Sequence, residues 1–530
     1  MQLPLLDIVV MLIYLAGVVA FGCWFARRSG DKEHFVAAGG SLPGWAVGLS
    51  IFGTYLSSNT FLGVPGKAYG GNWNSFVFSL SLPIAAFIAV KFFVPFYRKS
   101  KQISAYHHLE DRFGPWARTY AVGCYLLTQV ARMASILFGV ALGLSALTGW
   151  DLHWIIIGTG VLVTLYTLMG GIEAVIWTDV VQSIVLMTGA VAILIVAWAT
   201  MPVSLSEAYG YANELDKFSL GDASLDFTES TILVVFLFGI FINLTNFGID
   251  QSFVQRYHTA SSDKAAKRSV WFGALLYIPI AMLFFLIGTT LFAYYEHDQV
   301  SLNSLRQEIA QRNLRERGDE VSDNAIADEM AELDAEAIGD NVLPHFIVNK
   351  LPPGVAGLLV AAIFAAAMSS IDTSLNSSAT VSLEDIWRRF ISPAAVDTND
   401  MRVLYGATIF WGLIGTTAGL AMIGVKSVLD AWWMLSGVFA GAQLGLFLLG
   451  FASKRVGSIA AAIAVTVGTP LILWLTVSTE PEYWPTDWAA FKSPLHGHMV
   501  VVVGTIGIIV IGAAASMLAP RNSGPTKSDE

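Results

Sequence analysis

The chain has 530 residues, of which 55% are hydrophobic and only 13% are charged, and its mean hydropathy is +0.61. Because soluble domains usually carry about 25% charged residues, this composition excludes an ordinary soluble protein and is typical of a chain that folds in a bilayer. The net charge of −10 comes mostly from one acidic segment, residues 296–340, so it does not indicate nucleic-acid binding. Both cysteines, Cys23 and Cys124, lie in apolar runs, so we expect no disulfide framework.

Apolar segments of roughly 20 residues, the length that spans a bilayer as a helix, recur along the chain. They predict an all-α integral membrane protein with about thirteen transmembrane helices, at residues 5–26, 44–68, 73–96, 116–149, 153–171, 179–201, 229–250, 269–294, 354–380, 402–424, 428–451, 456–476 and 498–519. The first helix has no basic residues before it and "RRSGDK" after it, so we interpret it as an uncleaved helix rather than a secretory signal.

Alternate loops between these segments differ in charge. Lys and Arg concentrate in one set, which includes "YRKSKQ", "QRYHTASSDKAAKR" and "DIWRRF", and the opposite set has few. Since basic loops favour the cytoplasmic side, this alternation predicts an external N-terminus and a cytoplasmic C-terminus. The acidic segment 296–340 is then external. Its charge and partly helical periodicity favour a solvated helix or lid over a partner-binding module.

Two predicted helices are interrupted by glycine, proline and polar residues. The helix at 44–68 contains "FGTYLSSNTFLGVPG", and the helix at 229–250 contains "FGIFINLTNFGID". With the N-terminal helix set aside, these are the first and sixth helices of two five-helix halves. Such a matched pair indicates an inverted-repeat transporter, whereas Gly and Pro that are simply common in membrane helices would explain either break alone. The prediction is one transporter domain (1–530) with an extra helix at 5–26, repeats at 44–201 and 229–451, and two extra helices within 456–519.

We find no sequence signal for another energy source or for a catalytic centre. The stretch "GVPGKAYGG" is not a phosphate loop, because Phe61 and Ala68 stand where that motif needs Gly and Ser or Thr. No Cys/His cluster has the spacing of a metal site, and the pair His107 and His108 is interpreted as part of a solvated loop. We therefore expect a transporter driven by an ion gradient and not an enzyme.

The stretch 365–380, "AAAMSSIDTSLNSSAT", continues an apolar helix but carries polar side chains in every turn. Helical spacing places one stripe of small and hydroxyl residues along it: Ala366, Ser369, Ser370 and Thr373. Such oxygens suit sodium, a hard cation, although the hydroxyls could instead bond to carbonyls of their own helix and serve helix packing. Unwinding at residues 53–56 would free carbonyls to complete an ion shell, and the side chains beside the break would face a substrate.

Four motifs, "AAAMSSIDTSLNSSAT", "LSSNTFLGVPGKAY", "LMGGIEAVIWTDVVQS" and "DQSFVQRY", together resemble the sodium/solute symporter family, of LeuT-type fold. That family includes sodium/glucose, proline, iodide and monocarboxylate carriers. The stretches "AYHHLEDRFGPWAR" and "QVARMASILF" are most similar to bacterial sodium/sialic acid symporters. The resemblance covers residues 5–455 apart from the insert. It implies a multi-pass protein of the bacterial inner membrane that acts as a monomer in the lipid bilayer.

The resemblance implies one sodium ion and a candidate second one. The first site would use the carbonyls of Gly53, Leu56 and Ala366 with the hydroxyls of Ser369 and Ser370. The second, present in the sialic acid group, would use Ser369 with Asp179, Asp372 and Thr373.

Two acidic residues of this second site leave alternatives open. Asp179 could be the N-cap of a helix, alone or together with sodium binding. Asp372 stands where the group has a hydroxyl residue. It could strengthen the second site, replace it with a proton-linked site, or pair with an arginine.

Arg132 lies near the middle of a predicted membrane helix that begins after Pro115. An unpaired arginine there is costly, so we expect an anionic partner. In the sialic acid symporters the matching arginine binds the substrate carboxylate, and a planar guanidinium suits that pairing. The alternative is a structural ion pair with Asp372 or Asp179.

We therefore expect a sodium-coupled symporter for a carboxylate-bearing sugar, sialic acid or a related sugar acid. A neutral sugar and a short monocarboxylate are the alternatives, and a sodium-dependent sensor or leak channel is the alternative of another class. The predicted substrate contacts are Tyr55, Ser57, Asn59, Thr60, Ser79, Arg132, Asn243 and Asn246. Tyr55 and Ser79 depart from the sialic acid group, which has a smaller hydroxyl residue and a glutamine there. Gln255, Arg256 and Tyr257 are interpreted as a gate or lipid-facing anchor.

Overall fold

The computed structural model of the chain describes residues 4–25, 30–56, 58–392, 399–423, 428–453, 455–479 and 484–518, which are predominantly helical. The first half contains α1 (Leu5–Trp24), α2 (Lys32–Ala37), α3 (Gly44–Tyr55), α4 (Ser58–Gly70), α5 (Asn74–Ser100), α6 (His107–Phe113), α7 (Pro115–Thr148), α8 (Leu152–Ala199) and α9 (Leu205–Glu214). The second half contains α10 (Ile232–Ile249), α11 (Gln251–Thr259), α12 (Asp263–His297), α13 (Gln299–Arg317), α14 (Asp323–Glu332), α15 (Ala335–Lys350), α16 (Val355–Val381), α17 (Asp400–Ala421), α18 (Val428–Ala452), α19 (Ser458–Thr479) and α20 (Met499–Leu518).

The described residues confirm an all-helical architecture, in which one isolated β-bridge joins Leu42 and Ala260. Within this part of the chain, ten helices are long and apolar enough to cross a membrane: α1, α5, α7, α8, α10, α12, α16, α17, α19 and α20. A π-helical segment, Ser382–Ile391, follows α16 directly, and another, Ala89–Phe93, lies within α5. The finer count of thirteen crossings and the division into inverted repeats stay predictions.

The 48 residues of α8 cover two of the predicted segments. The helix bends at Gly171, whose φ is 55° and ψ −159°. A Cβ there would lie 2.8 Å from the Phe35 carbonyl oxygen, so only glycine suits the position. Helical structure then continues through Asp179, which therefore lies inside a helix. The alternative that Asp179 is an N-cap is wrong.

The first predicted break lies where the sequence places it, and the second lies further along the chain. The chain leaves α3 at Leu56, with φ −90° and ψ 76°, and α4 begins at Ser58. By contrast, α10 is continuous through its glycines and asparagines. It ends only at Asp250, whose φ of −72° and ψ of 119° are extended and whose side chain caps α11.

The acidic insert forms helices α13 and α14, which confirms its helical periodicity, and leads into α15. The Arg317 guanidinium makes two bonds, of 2.9 and 3.0 Å, to the Glu329 carboxylate and so joins α13 to α14. The next helix, α15, packs against α4 at very short range, because a Cβ on Gly339 would lie 2.7 Å from the Gly66 carbonyl oxygen. The insert is therefore attached directly to the second half of the broken helix.

Candidate functional site

A cavity of about 270 Å³ lies beside the broken helix, walled by α3, α4, α5, α7, α10 and α12. Five predicted substrate contacts line it: Tyr55, Thr60, Ser79, Arg132 and Asn246. Asn243 lies outside the cavity, is fully buried, and donates from Nδ2 to the Ser81 hydroxyl at 3.0 Å. Ser57 and the side chain of Asn59 lie outside the described residues, so their predicted contacts stay predictions.

Arg132 reaches the cavity from α7. Its Nη2 donates to the Thr54 carbonyl oxygen at 2.9 Å. That carbonyl is available because α3 ends at Tyr55, so no amide four residues later continues the helix. Among the described residues Arg132 forms no salt bridge within 4.0 Å, so the alternative of an ion pair with Asp372 or Asp179 is wrong.

Two charged residues of the cavity wall were missed in the sequence. Asp250 lines the cavity and accepts a 2.8 Å bond from the Ser252 amide at the start of α11. Lys67 also lines it, from α4, and its ammonium lies 3.5 Å from the Glu336 carboxylate of α15. The stretch "FGIFINLTNFGID", which ends at Asp250, was the available signal, but the sequence placed the break at the glycines and asparagines before it. The cavity therefore contains charges of both signs.

Two residues predicted for the first sodium site, Gly53 and Ser369, lie close together where α3 packs against α16. A Cβ on Gly53 would lie 3.8 Å from the Ser369 hydroxyl oxygen, so the break and the polar stripe are adjacent. Ala366 and Leu56 are each 1% exposed. The Ser370 hydroxyl is buried and has no hydrogen-bond partner. An unused buried hydroxyl, next in the chain to Ser369, fits a sodium ligand set.

Three residues of the predicted second site are brought together around a buried arginine. Asp179 accepts hydrogen bonds from the hydroxyls of Ser50 and Ser369. The Arg256 Nη2 donates to Asp179 at 3.0 Å and to the Thr373 hydroxyl at 2.8 Å. Because the Asp179 carboxylate and this guanidinium are both fully buried, neither is solvated, and each depends on the other for charge compensation.

The burial of Arg256 corrects one interpretation. Arg256 is 0% exposed, as are its neighbours Gln255 and Tyr257, so the prediction of a lipid-facing anchor is wrong. Gln255 donates to the Val36 carbonyl at 2.6 Å, and the Tyr257 hydroxyl donates to the Phe247 carbonyl at 2.8 Å. In the sequence, Gln255, Arg256 and Tyr257 lie beside basic residues that are predicted to be cytoplasmic. This position did not indicate the tertiary contacts that the three side chains make.

Asp372 has a separate partner. One carboxylate oxygen accepts a 2.6 Å hydrogen bond from the Tyr166 hydroxyl of α8, and the other is buried without a partner. The same hydroxyl lies 3.2 Å from the Met368 carbonyl oxygen. In the described part of the chain no arginine pairs with Asp372. The alternatives of a second sodium and a proton stay open.

The chain matches the model of the sodium:solute symporter family over residues 35–468. The sodium/sialic acid symporter NanT of Aliivibrio fischeri is 31% identical over 529 residues, which cover 99% of this chain and 95% of NanT. The chain belongs to the sodium:solute symporter family. The sodium/sialic acid symporter SiaT of Proteus mirabilis is 32% identical, over 96% of this chain and 94% of SiaT.

A solved structure of this kind agrees with the described fold. It is a substrate-bound, outward-open state of a Na⁺-coupled sialic acid symporter, 31% identical, with a TM-score of 0.83 over 98% of this chain and 99% of its own. These findings confirm the predicted family, the LeuT-type fold, a multi-pass membrane protein and sodium as the coupling ion. The roles of individual residues stay predictions.

Proposed function

We propose that this chain imports a carboxylate-bearing sugar acid of the sialic acid class together with sodium. The observation that carries the proposal is the Arg132 guanidinium, which lines the cavity and bonds to a carbonyl rather than to a carboxylate of the protein. An arginine held in this way offers its remaining N–H groups to an anion, and its planar shape matches a carboxylate. NanT and SiaT, named as sodium/sialic acid symporters, support the same substrate class.

The rest of the cavity favours a sugar acid over the two alternatives. Its volume of about 270 Å³ exceeds what a short monocarboxylate would fill, and hydroxyl and amide groups line it, including Thr60, Ser75, Ser79 and Asn246. Arg132 in turn disfavours a neutral sugar, because a neutral ligand would leave the N–H groups of the guanidinium that face the cavity without a carboxylate bonded directly to them.

The broken helix supplies a route for coupling. Residues 53–56 would present carbonyls to sodium on the side of α16, and Thr54 in the same segment contacts Arg132 on the cavity side. Sodium would therefore hold the segment in the conformation that positions Arg132. An ion that prefers one conformation of the segment increases the population of that conformation, and thereby the affinity for substrate.

The same proposal includes the finer architecture. The chain would cross the bacterial inner membrane thirteen times, as a five-plus-five inverted repeat with one N-terminal and two C-terminal extra helices. Its N-terminus and the 296–340 insert would be external and its C-terminus cytoplasmic, and it would act as a monomer. The charge alternation of the loops supports this orientation. Cysteine accessibility at the two ends of the chain tests it.

Transport by purified protein in proteoliposomes tests the function. We expect concentrative uptake of N-acetylneuraminic acid that stops when the sodium gradient is removed, and a loss of at least about thirtyfold in Arg132→Ala. Arg132→Lys is the matched control, since it keeps the charge without the planar fork, and we expect it to retain part of the uptake. Undiminished uptake by Arg132→Ala would contradict the carboxylate assignment. Sodium-dependent binding without concentrative uptake would favour a sensor, and a solute-independent sodium current would favour a leak channel.

A further inference from the structure

The wall that α7 contributes to the cavity contains an amide whose hydrogen-bonding atoms are both unused. Gln129 lines the cavity and is 0% exposed, and neither its Nε2 nor its Oε1 has a hydrogen-bond partner. A buried amide without partners is unfavourable compared with one that is hydrogen-bonded. Gln129 therefore lies in the cavity wall as a buried amide that no described group of the chain satisfies, and a ligand group that reaches it would satisfy it.

The other polar side chains of α7 on this wall already have partners. Arg132 donates to the Thr54 carbonyl oxygen. The hydroxyls bond to nearby atoms of the protein: Tyr125 to the Ser377 hydroxyl at 2.7 Å, Thr128 to the Cys124 carbonyl at 2.9 Å, and Ser135 to the Arg132 carbonyl at 3.0 Å. Gln129 therefore differs from the other polar side chains of this wall, which are already hydrogen-bonded to the protein.

Gln129 and Arg132 are three residues apart on a continuous helix, so they occupy the same face with their Cβ atoms about 5–6 Å apart. A ligand whose carboxylate meets Arg132 therefore presents another of its groups to Gln129. An amide side chain both donates and accepts, so its natural partner is a neutral group that does the same, a secondary amide or a hydroxyl.

We propose that Gln129 forms a second substrate subsite, which binds a neutral amide or hydroxyl group of the sugar acid whose carboxylate Arg132 binds. The inference rests on the proposed function, because it uses the same cavity and the same substrate class. It adds a requirement for an uncharged donor–acceptor group one helical turn away from the carboxylate. Carboxylates without such a group would bind more weakly.

The test uses the full-length protein in detergent with saturating sodium, with N-acetylneuraminic acid as the probe and calorimetry as the readout. We expect Gln129→Leu, which keeps the volume but removes the amide, to weaken binding of N-acetylneuraminic acid about tenfold. Thr128→Val is the matched control on the same wall, since its hydroxyl already bonds to Cys124, and we expect a change of less than about twofold. Sodium affinity should stay unchanged in both variants.

A second variant, Gln129→Met, covers the case in which leucine does not fit the wall. Affinity within twofold of the wild type in both Gln129 variants overturns the subsite, and so does an equal loss of substrate and sodium affinity, which would indicate general damage. Arg132→Gln separates this failure from that of the proposed function. If Arg132→Gln loses binding while the Gln129 variants do not, only the subsite is overturned. If Arg132→Gln binds N-acetylneuraminic acid normally, or the wild type does not bind it, the proposed function is overturned as well.

Discussion

The two halves of the polar run in α16 use similar side chains in different ways. In the second half, hydroxyls donate at 2.7–2.9 Å to the carbonyl four residues earlier in the same helix: Ser374, Ser377 and Thr380. In the first half, Ser369 donates to Asp179 on α8, and Ser370 has no partner. Not every polar group of the second half is satisfied, because the Ser378 hydroxyl and the Asn376 Nδ2 are also buried without partners. The contrast is between these three hydroxyls, which bond back to their own helix, and Ser369 and Ser370, which do not.

The polar run has two explanations, helix packing and ion binding, and each accounts for different hydroxyls of the run. Bonding back to the helix, the packing explanation, accounts for Ser374, Ser377 and Thr380 without a ligand. It does not account for Ser370, because a buried hydroxyl without a partner costs about 1–3 kcal/mol. A cation at the predicted sodium site would offset that cost for Ser370. Substitutions that act on one half and not on the other therefore test the division.

The largest effect is expected at Asp179, the α8 residue that accepts the hydrogen bond of Ser369. Asp179→Ala leaves the fully buried Arg256 without its carboxylate, which should lower the free energy of unfolding by about 3–5 kcal/mol. Ser374→Ala, the control in the second half, removes a hydroxyl bonded only to its own helix, and a loss of about 0.5–1.5 kcal/mol is expected. Thermal unfolding in detergent measures both. Equal losses of unfolding free energy in Asp179→Ala and Ser374→Ala would contradict the proposed difference between the two parts of the run.

The hydrogen bond of Tyr166 tests whether Asp372 acts as a charged acceptor. Tyr166→Phe removes a 2.6 Å hydrogen bond to the carboxylate, and a bond to a charged group contributes about 1.5–3 kcal/mol. Tyr257→Phe is the matched control, because that hydroxyl is equally buried but donates to the neutral Phe247 carbonyl, which is worth about 0.5–1.5 kcal/mol. We expect the greater loss of unfolding free energy in Tyr166→Phe. If the two losses are equal, Asp372 is not acting as a charged acceptor.

Ser370 tests the ion itself. Ser370→Ala should weaken sodium binding about tenfold, because it removes one ligand, while leaving stability without sodium unchanged or slightly higher, because an unpartnered hydroxyl is lost. The sodium-dependent rise in melting temperature measures both quantities in one experiment. Ser374→Ala again serves as the control. A sodium response that Ser370→Ala leaves intact would place the cation elsewhere.

These same residues show which features could be predicted from the sequence alone. The break after Tyr55 was predictable, because glycine and polar residues interrupt an apolar helix and local conformation decides the outcome. The position of Arg132 within its helix was predictable for a similar reason, since a charge in the membrane is conspicuous and costly.

The partners of buried groups were not predictable in the same way. Arg256 finds Asp179 across 77 positions of sequence, and no local pattern encodes that pairing. Gln129 was overlooked because one amide in an apolar helix is unremarkable until the wall around it is seen. Asp250 was missed because α10 continues through the glycines that seemed to break it. Helix periodicity gives the face of a residue, but only tertiary packing gives its neighbour.

The smallest effect is expected at a buried polar group outside the ten apolar helices, His345 of α15. Its Nδ1 lies 2.7 Å from the Tyr295 hydroxyl, and burial, reinforced by Lys350, lowers the pKa of His345 to about 4. The unfolded chain, with a histidine pKa near 6.5, binds the proton more readily, so stability is present above pH 6.5 and is lost as the pH falls toward 4. Between pH 7 and pH 5.5 the expected loss is about 1 kcal/mol, measured as a fall in melting temperature. His345→Gln should remove that dependence while leaving the sodium-dependent rise in melting temperature unchanged, because His345 lies in α15 and not in the polar run of α16. A pH dependence that persists in His345→Gln would assign it to another group.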